Sequence, residues 1–283
     1  MPVFPELRPS GLASALLLAF LGVGVPALAQ EPPPPPTHAR VISVYDGDTF
    51  TLDTGDRVRL RGVNTPELKP YEPFAAESRD ATESFLIGKE ITLSYGSTIR
   101  DHYGRLLAQA SVDGQDLSQY LVERGLAHVF LVAPTDEDVG PLLDAQREAR
   151  EAKRGLWSTQ GFQGTLHITS FHANGRGDER LDVNAEYLRV CNITADPVDL
   201  TGYKITDLTG HSWDLPGITI PAGFTFEIRS GKGEDAGDPT KALKVYLDND
   251  YPIWNNDHDR ATLLDPAGKV QDLREHQPKS RQD

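Results

Sequence analysis

The feature that most constrains this chain is a change of hydrophobic period near residues 158–164. Upstream of that point, short alternating runs are interleaved with helical stretches; downstream, no convincing helical period recurs. One layered core does not accommodate both patterns, so the 283 residues divide into two domains. The spacing predicts strands over 39–44, 49–52, 57–63, 91–95, 106–112 and 127–132 in the first half. Helices are predicted over 74–87, stopped by Gly88, over 117–124, capped by Asp116, and over 140–154, closed by Gly155-Leu156-Trp157. Five or six short strands with interleaved helices suit a small Greek-key barrel. In the second half, alternating runs such as 188–191, 225–228 and 261–264 lie between Gly, Pro, Asn and Asp clusters, the pattern of an immunoglobulin-like β-sandwich. The join is short, so the domains are expected to touch.

The amino terminus is of a different kind. Leu12 to Val25 is uncharged and mostly apolar, is preceded by Arg8, and ends in Pro26-Ala27-Leu28-Ala29, a small-x-small site after a helix breaker. That layout predicts a signal peptide over 1–29, cleaved after Ala29, and a secreted or periplasmic mature protein without a transmembrane segment. The same run approaches the roughly 20 residues that span a bilayer, so an uncleaved anchor is the competing reading. Residues 30–38 contain five consecutive prolines, Pro32 to Pro36, expected to form an extended, semi-rigid linker. The single cysteine, Cys191, excludes an intramolecular disulfide and reads as a small core side chain in a strand.

The net charge is −14, divided as −6 over residues 40–160 and −7 over 161–283. Neither half is a basic module, which excludes tight non-specific binding of nucleic acid through a cationic surface. Chemistry on a polyanion would instead need a few placed cations and a metal ion.

The sequence holds a matching constellation. "DGDT" at Asp46–Thr49 is a weak signal alone, because Asp-Gly is a common turn. "VRLRGVNTPE" over Val58–Glu67 puts Arg59 and Arg61 on one face of a strand, opposite Val58 and Leu60, and runs into a proline-stiffened turn rich in oxygen groups. "DHYGRLLA" over Asp101–Ala108 sets Tyr103 and Arg105 on either side of Gly104. Phosphodiester cleavage calls for oxygen ligands to a hard divalent cation. It also calls for guanidinium forks on the phosphate and a carboxylate to orient or deprotonate water.

On these motifs, with "GLAHV" at 125–129 and "GLW" at 155–157, residues 39–158 resemble the staphylococcal nuclease (thermonuclease) family. The resemblance implies an OB-fold, a five-stranded barrel with three helices, and calcium-dependent hydrolysis of DNA and RNA. It makes Asp48, Asn64 and Thr65 metal ligands, Thr65 through its carbonyl. It makes Glu67 the water-activating carboxylate, sets Arg59 and Arg105 on the scissile phosphate, and gives Tyr103 a phosphate hydrogen bond. Asn64 replaces an aspartate of the best-known member, so one ligand charge is lost and weaker metal affinity is expected. Leu131 and Ala133 replace two tyrosines near the nucleotide pocket, which reduces base stacking there. His102 stands in place of a lysine and reads as a solvated neighbour.

Residues 165–273 resemble the lamin-tail domain, through "NAEYLRVCNIT" at 184–194, "PVDLTGYKITD" at 197–207 and "IWNNDHDRATLLDPAGKVQD" at 253–272. That implies an immunoglobulin-like sandwich with a binding or tethering role, towards an envelope or surface partner. Tyr187, Trp213 and Trp254 are expected in its core. Asp248, Asp250, Asp257 and Asp259 are expected as solvated loop acids, and residues 274–283 as a flexible tail. The competing function is a catalytically weak nuclease-fold module that binds nucleic acid or a cell surface. Retention of Asp48, Arg59, Glu67 and Arg105 together argues for the enzyme.

Overall fold

The computed structural model describes Met1 and residues 34–175 and 177–277. The expected signal peptide, most of the proline linker and residues 278–283 lie outside the described residues. Among those described, no helix is long and apolar enough to cross a membrane.

The first domain runs β1 (His38–Val44), β2 (Thr49–Leu52), β3 (Arg57–Leu60), β4 (Val63–Asn64), α1 (Ala75–Leu86), β5 (Glu90–Arg100) and β6 (Leu106–Val112). It continues through β7 (Gln115–Asp116), α2 (Leu117–Glu123), β8 (His128–Val129), β9 (Leu131–Val132) and α3 (Gly140–Glu151). The sheet order β3-β2-β1-β5-β6 closes on itself because β3 also pairs with β6, in parallel. This is the expected five-stranded barrel. Alternation closes it: Val58 and Leu60 are buried, while Arg57 is exposed and Arg59 half-buried on the other face of the strand. Phe50, Leu52, Leu106 and Ala108 join that core with Phe85 and Leu86 of α1 and Leu117 and Leu121 of α2. The Asp116 side chain caps α2 by accepting the Gln119 N–H at 2.8 Å.

Two strands depart from the sequence reading. β5 continues to Arg100, past the expected end at Tyr95, after a register shift. Its added segment is polar and exposed, so alternation does not reveal it. The strand expected over 127–132 is two strands, because the chain changes partner. β8 pairs with β4 of the first domain, whereas β9 pairs with the second domain.

That second domain comprises β10 (Leu166–His172), β11 (Tyr187–Asn192), β12 (Val198–Asp199), β13 (Lys204–Thr206), β14 (Ser212–Asp214) and β15 (Thr219–Ile220). After these come β16 (Phe224–Arg229), β17 (Lys244–Tyr246), β18 (Asp259–Leu264) and β19 (Val270–His276). One sheet has the order β10-β11-β16-β17 and the other β14-β13-β18-β19. Leu166, Ile168, Leu188, Val190, Phe226 and Ile228 meet Ile205, Ala261, Leu263 and Trp254 between them, the expected immunoglobulin-like sandwich.

Three expectations are corrected here. Residues 274–276 are not tail: β19 carries on through His276, with Arg260 opposite Glu275 and Asp259 opposite His276. Asp259 is not a solvated acid. It is buried and accepts the N–H groups of Leu208, Asn255 and Arg260 at 2.9, 2.8 and 2.7 Å, fastening the loop before β18. Trp254 is buried and Trp213 packs against the same core, but Tyr187 stays half-buried at the mouth of a cleft.

The domains are joined through a shared interior. Leu131 and Val132 of β9 extend the second domain's sheet against Phe224 and Thr225. Trp157, Phe162, Cys191 and Ile193 form one apolar cluster across the join. Gln146 of α3 binds on both sides, accepting the Val129 N–H at 2.7 Å and donating to the Ile193 carbonyl at 3.2 Å. Cys191 is indeed buried in a strand, and burial pushes its thiol above the ordinary range.

Candidate active site

The turn between β1 and β2 sets the first acids in place. Gly47 has no room for a side chain: a Cβ there would lie 2.7 Å from Thr65 Cγ2 and 2.8 Å from Ser78 Cβ. "DGDT" thus needs its glycine because the turn is pressed against Thr65 and α1. Thr82 of α1 holds the same turn by donating to the Gly47 carbonyl at 2.6 Å.

Asp48 is buried and fully engaged. Its Oδ2 accepts the Thr65 N–H at 2.9 Å and the Thr65 hydroxyl at 3.1 Å, and its Oδ1 accepts the Thr49 hydroxyl at 3.1 Å. Arg59 Nε lies 3.0 Å from the same Oδ1. The guanidinium also donates to Asn64 Oδ1 at 2.9 Å, and to the Leu60 and Val63 carbonyls at 2.6 and 2.8 Å. It therefore cross-links β3, β4 and the "NTPE" turn. Asn64 Nδ2 donates to the Thr65 carbonyl at 3.3 Å.

Glu67 is half-buried on the far side of that turn, and its backbone N–H donates to Glu72 Oε2 at 2.9 Å. Burial raises its carboxyl above the ordinary range, with Asp48 and Glu72 adding to the effect and Arg59 opposing it. Asp46, singled out in the sequence only as part of the turn, belongs to the same group. Burial and the neighbouring Asp48 push its carboxyl up to about 7.

The third motif forms a loop at the start of β6. Asp101 organises it: Oδ1 accepts the N–H groups of Tyr103 and Arg105 at 2.9 Å each, and Oδ2 accepts Arg105 Nε at 2.7 Å. Gly104 turns the chain with a φ of +80°, a conformation that favours glycine. Among the described residues the Arg105 Nη groups carry no hydrogen bond, so they are free to take an anion. Tyr103 and His102 are exposed.

Asp48, Arg59, Asn64, Glu67, Tyr103 and Arg105 line one cavity of about 670 Å³. Thr65, buried and bonded through its hydroxyl to Asp48, does not itself line that space. The cavity's opposite wall comes from the second domain, through Thr169, Ser170, His172, Tyr187 and Arg189. Sequence reasoning missed that wall, because no local pattern shows which sandwich edge meets a barrel.

Among the described residues, no three His, Cys, Asp or Glu side chains are gathered as a metal cage. The implied ligand set contains only one such side chain, Asp48, alongside an amide and a carbonyl. Those oxygens fit a hard cation in one respect: Asp48 Oδ1 and Asn64 Oδ1 converge on a single positive group, the Arg59 guanidinium. Asp46 and Glu67 crowd two further carboxyls beside it, and burial together with that crowding raises both above their ordinary range.

A barrel with arginines and carboxylates gathered at its mouth defines a phosphodiester-handling class of protein. Residues 57–159 match the model of the staphylococcal nuclease homologues, and residues 160–277 match that of the Lamin Tail Domain. An "uncharacterized endonuclease" of Escherichia coli is 41% identical over 123 residues, which cover 43% of this chain and 77% of the relative. The thermonuclease of Staphylococcus hyicus is 31% identical over 126 residues, 42% of this chain and 75% of its own. That of Staphylococcus intermedius is 31% identical over 121 residues, 40% and 72% respectively. The chain belongs to the staphylococcal nuclease family, with a lamin-tail domain after the nuclease fold.

Proposed function

We propose that this protein is an exported, calcium-dependent nuclease that hydrolyses phosphodiester bonds of DNA and RNA. The observation that carries the reading is the meeting of Arg59, Arg105, Asp48, Asn64 and Glu67 around one cavity. Asp48, Asn64 and the Thr65 carbonyl would hold the metal ion. When bound there, a divalent cation offsets the charge that builds on the phosphate oxygens.

The protein's own groups divide the remaining work. Arg105 offers its two unengaged Nη groups to a phosphate oxygen, with Asp101 fixing the stem. Arg59 can do the same only after giving up its contacts to Asp48 and Asn64. Those are the residues whose oxygens would turn to the cation. Glu67 accepts a hydrogen bond from the attacking water and takes up its proton as that oxygen bonds to phosphorus, while the P–O bond to the leaving oxygen breaks beside Arg105 and solvent supplies that oxygen's proton. A carboxyl raised by burial and by neighbouring acids suits that work better than one near pH 4.3. Tyr103 lies open at the rim, where its hydroxyl can reach a flanking phosphate.

Export rests on the pattern of residues 1–29, and a tethering role for the second domain rests on its family resemblance. Digestion of plasmid DNA and of RNA by the purified full chain, with calcium or with EDTA, tests the reading. Cleavage with calcium that EDTA abolishes, and that Glu67→Gln reduces at least about 100-fold, is expected. Intact substrate under calcium, magnesium and manganese alike would overturn it.

A further inference from the structure

The second domain does more than border the cleft: it brings a built aromatic surface to it. His172 ends β10 and Tyr187 begins β11, directly opposite each other in the ladder. Their rings are stacked, with centroids 4.3 Å apart and planes 19° apart. His172 is exposed and Tyr187 half-buried, and both line the cavity that holds Arg59 and Arg105. Partial desolvation against the cleft wall, aided by the Arg189 charge, lowers the His172 imidazole below its ordinary range.

The charge around this pair differs from that of the whole chain. Arg189 Nη2 lies 2.8 Å from Glu227 Oε1, and Arg229 Nη2 lies 2.6 Å from Glu227 Oε2. Two guanidiniums share one carboxylate, which leaves a net positive spot in a chain of net charge −14. Meanwhile the first domain has lost the positions where the family resemblance placed stacking tyrosines. Leu131 is buried in the strand that joins the domains, and Ala133 is buried in the sandwich core. A plain cross-strand staple, with Arg229 over the Tyr187 ring at 5.2 Å from its centroid, would account for the stacking and for the nearby cations, but not for the pair's place on the wall of the cleft.

We propose that His172, Tyr187 and Arg189 form a subsite for single-stranded nucleic acid, stacking one base of the strand beyond the scissile bond and holding its phosphate. The inference rests on the nuclease reading above. Stacking on an aromatic side chain tolerates any base but needs the base unpaired, so the subsite favours single strands over duplex. It also gives the lamin-tail domain a part in handling substrate.

The experiment compares kcat/KM of the full chain on a single-stranded dinucleotide and on an octanucleotide. His172→Ala and Tyr187→Ala are each expected to lower kcat/KM on the octanucleotide about 10-fold, through KM, and to leave the dinucleotide unchanged. Tyr187→Phe, which keeps the ring, should behave as wild type. Equal losses on both lengths, or no loss on either, would overturn the subsite. Because His172 is exposed, its variant retains the fold and is informative if Tyr187→Ala does not fold. Should the wild type cleave neither oligomer, the nuclease reading fails. Fluorescence anisotropy of a labelled octanucleotide then decides the subsite by itself: about 10-fold weaker binding in His172→Ala supports it, and unchanged binding overturns it.

Discussion

Arg274, on the last strand of the sandwich, lies 3.0 Å from Glu72 of the nuclease domain, and the other oxygen of that carboxylate accepts the N–H of Glu67 at 2.9 Å. The second domain thereby braces the backbone of the carboxylate proposed to activate water. Arg274 also donates to the Ile168 carbonyl at 3.0 Å, so its own position is fixed from within the sandwich. Arg274→Met should lower kcat by about 3- to 30-fold with little change in KM, because orientation is lost and not binding. Steady-state kinetics on a single-stranded substrate, with the melting temperature as a control for folding, checks this.

Gly47→Ala tests the turn beneath Asp48. The added methyl would meet Thr65 and Ser78 at distances that real contacts do not reach, so the turn must shift. Denaturant unfolding should show a loss of about 1–3 kcal/mol. Cleavage should fall further than that figure alone explains, since Asp48 and Thr65 move with the turn.

Gln146 tests the joint. Gln146→Ala leaves the buried Val129 N–H without its partner, at a cost of about 1–3 kcal/mol, while the Ile193 carbonyl loses one of two donors and keeps Arg150 Nη1 at 2.9 Å. The wild type should unfold in one transition that includes both domains. The variant should melt lower and begin to separate into two steps by calorimetry.

Glu186 gives a dependence on pH away from the cleft. It is buried, Oε2 accepts the Ile253 N–H at 2.9 Å, and burial pushes its carboxyl up to about 7 from 4.5. A folded-state value above the unfolded one means that the folded protein holds the proton more tightly. Stability from this group is therefore present below about pH 4.5, declines as pH rises to about 7, and is level beyond. Glu186→Gln removes that decline. Urea titrations at pH 4 and pH 8 should show the variant gaining on the wild type at the higher pH, by at most about 3 kcal/mol.

How far the residues could be read follows from how local their signals are. Barrel and sandwich were legible because alternation such as Val58–Leu60 and Ala261–Leu263 repeats within single strands. The cluster at Asp48, Arg59, Glu67 and Arg105 was legible because each motif carries a turn that fixes its own geometry. The far wall of the cleft was not, since Tyr187 sits in an alternating strand like any core aromatic until its neighbours across the join are known. Asp259 misled for the same reason: an acid in a run of acids reads as solvated unless the backbone N–H groups that it caps are seen. Asp46 looked like half of an ordinary turn, and only burial beside Asp48 and Glu67 makes it part of the site.

The pairing of Leu131 and Val132 with Phe224 and Thr225 bears on biogenesis. Roughly ninety residues separate the two partners along the chain. During synthesis the barrel can close while the outer edge of β9 still has no neighbour to bond with, a state that invites pairing with another nascent copy. Arrival of β16 ends that interval, so slowing the emergence of the chain between these two segments should raise the yield of aggregated protein without altering the finished fold.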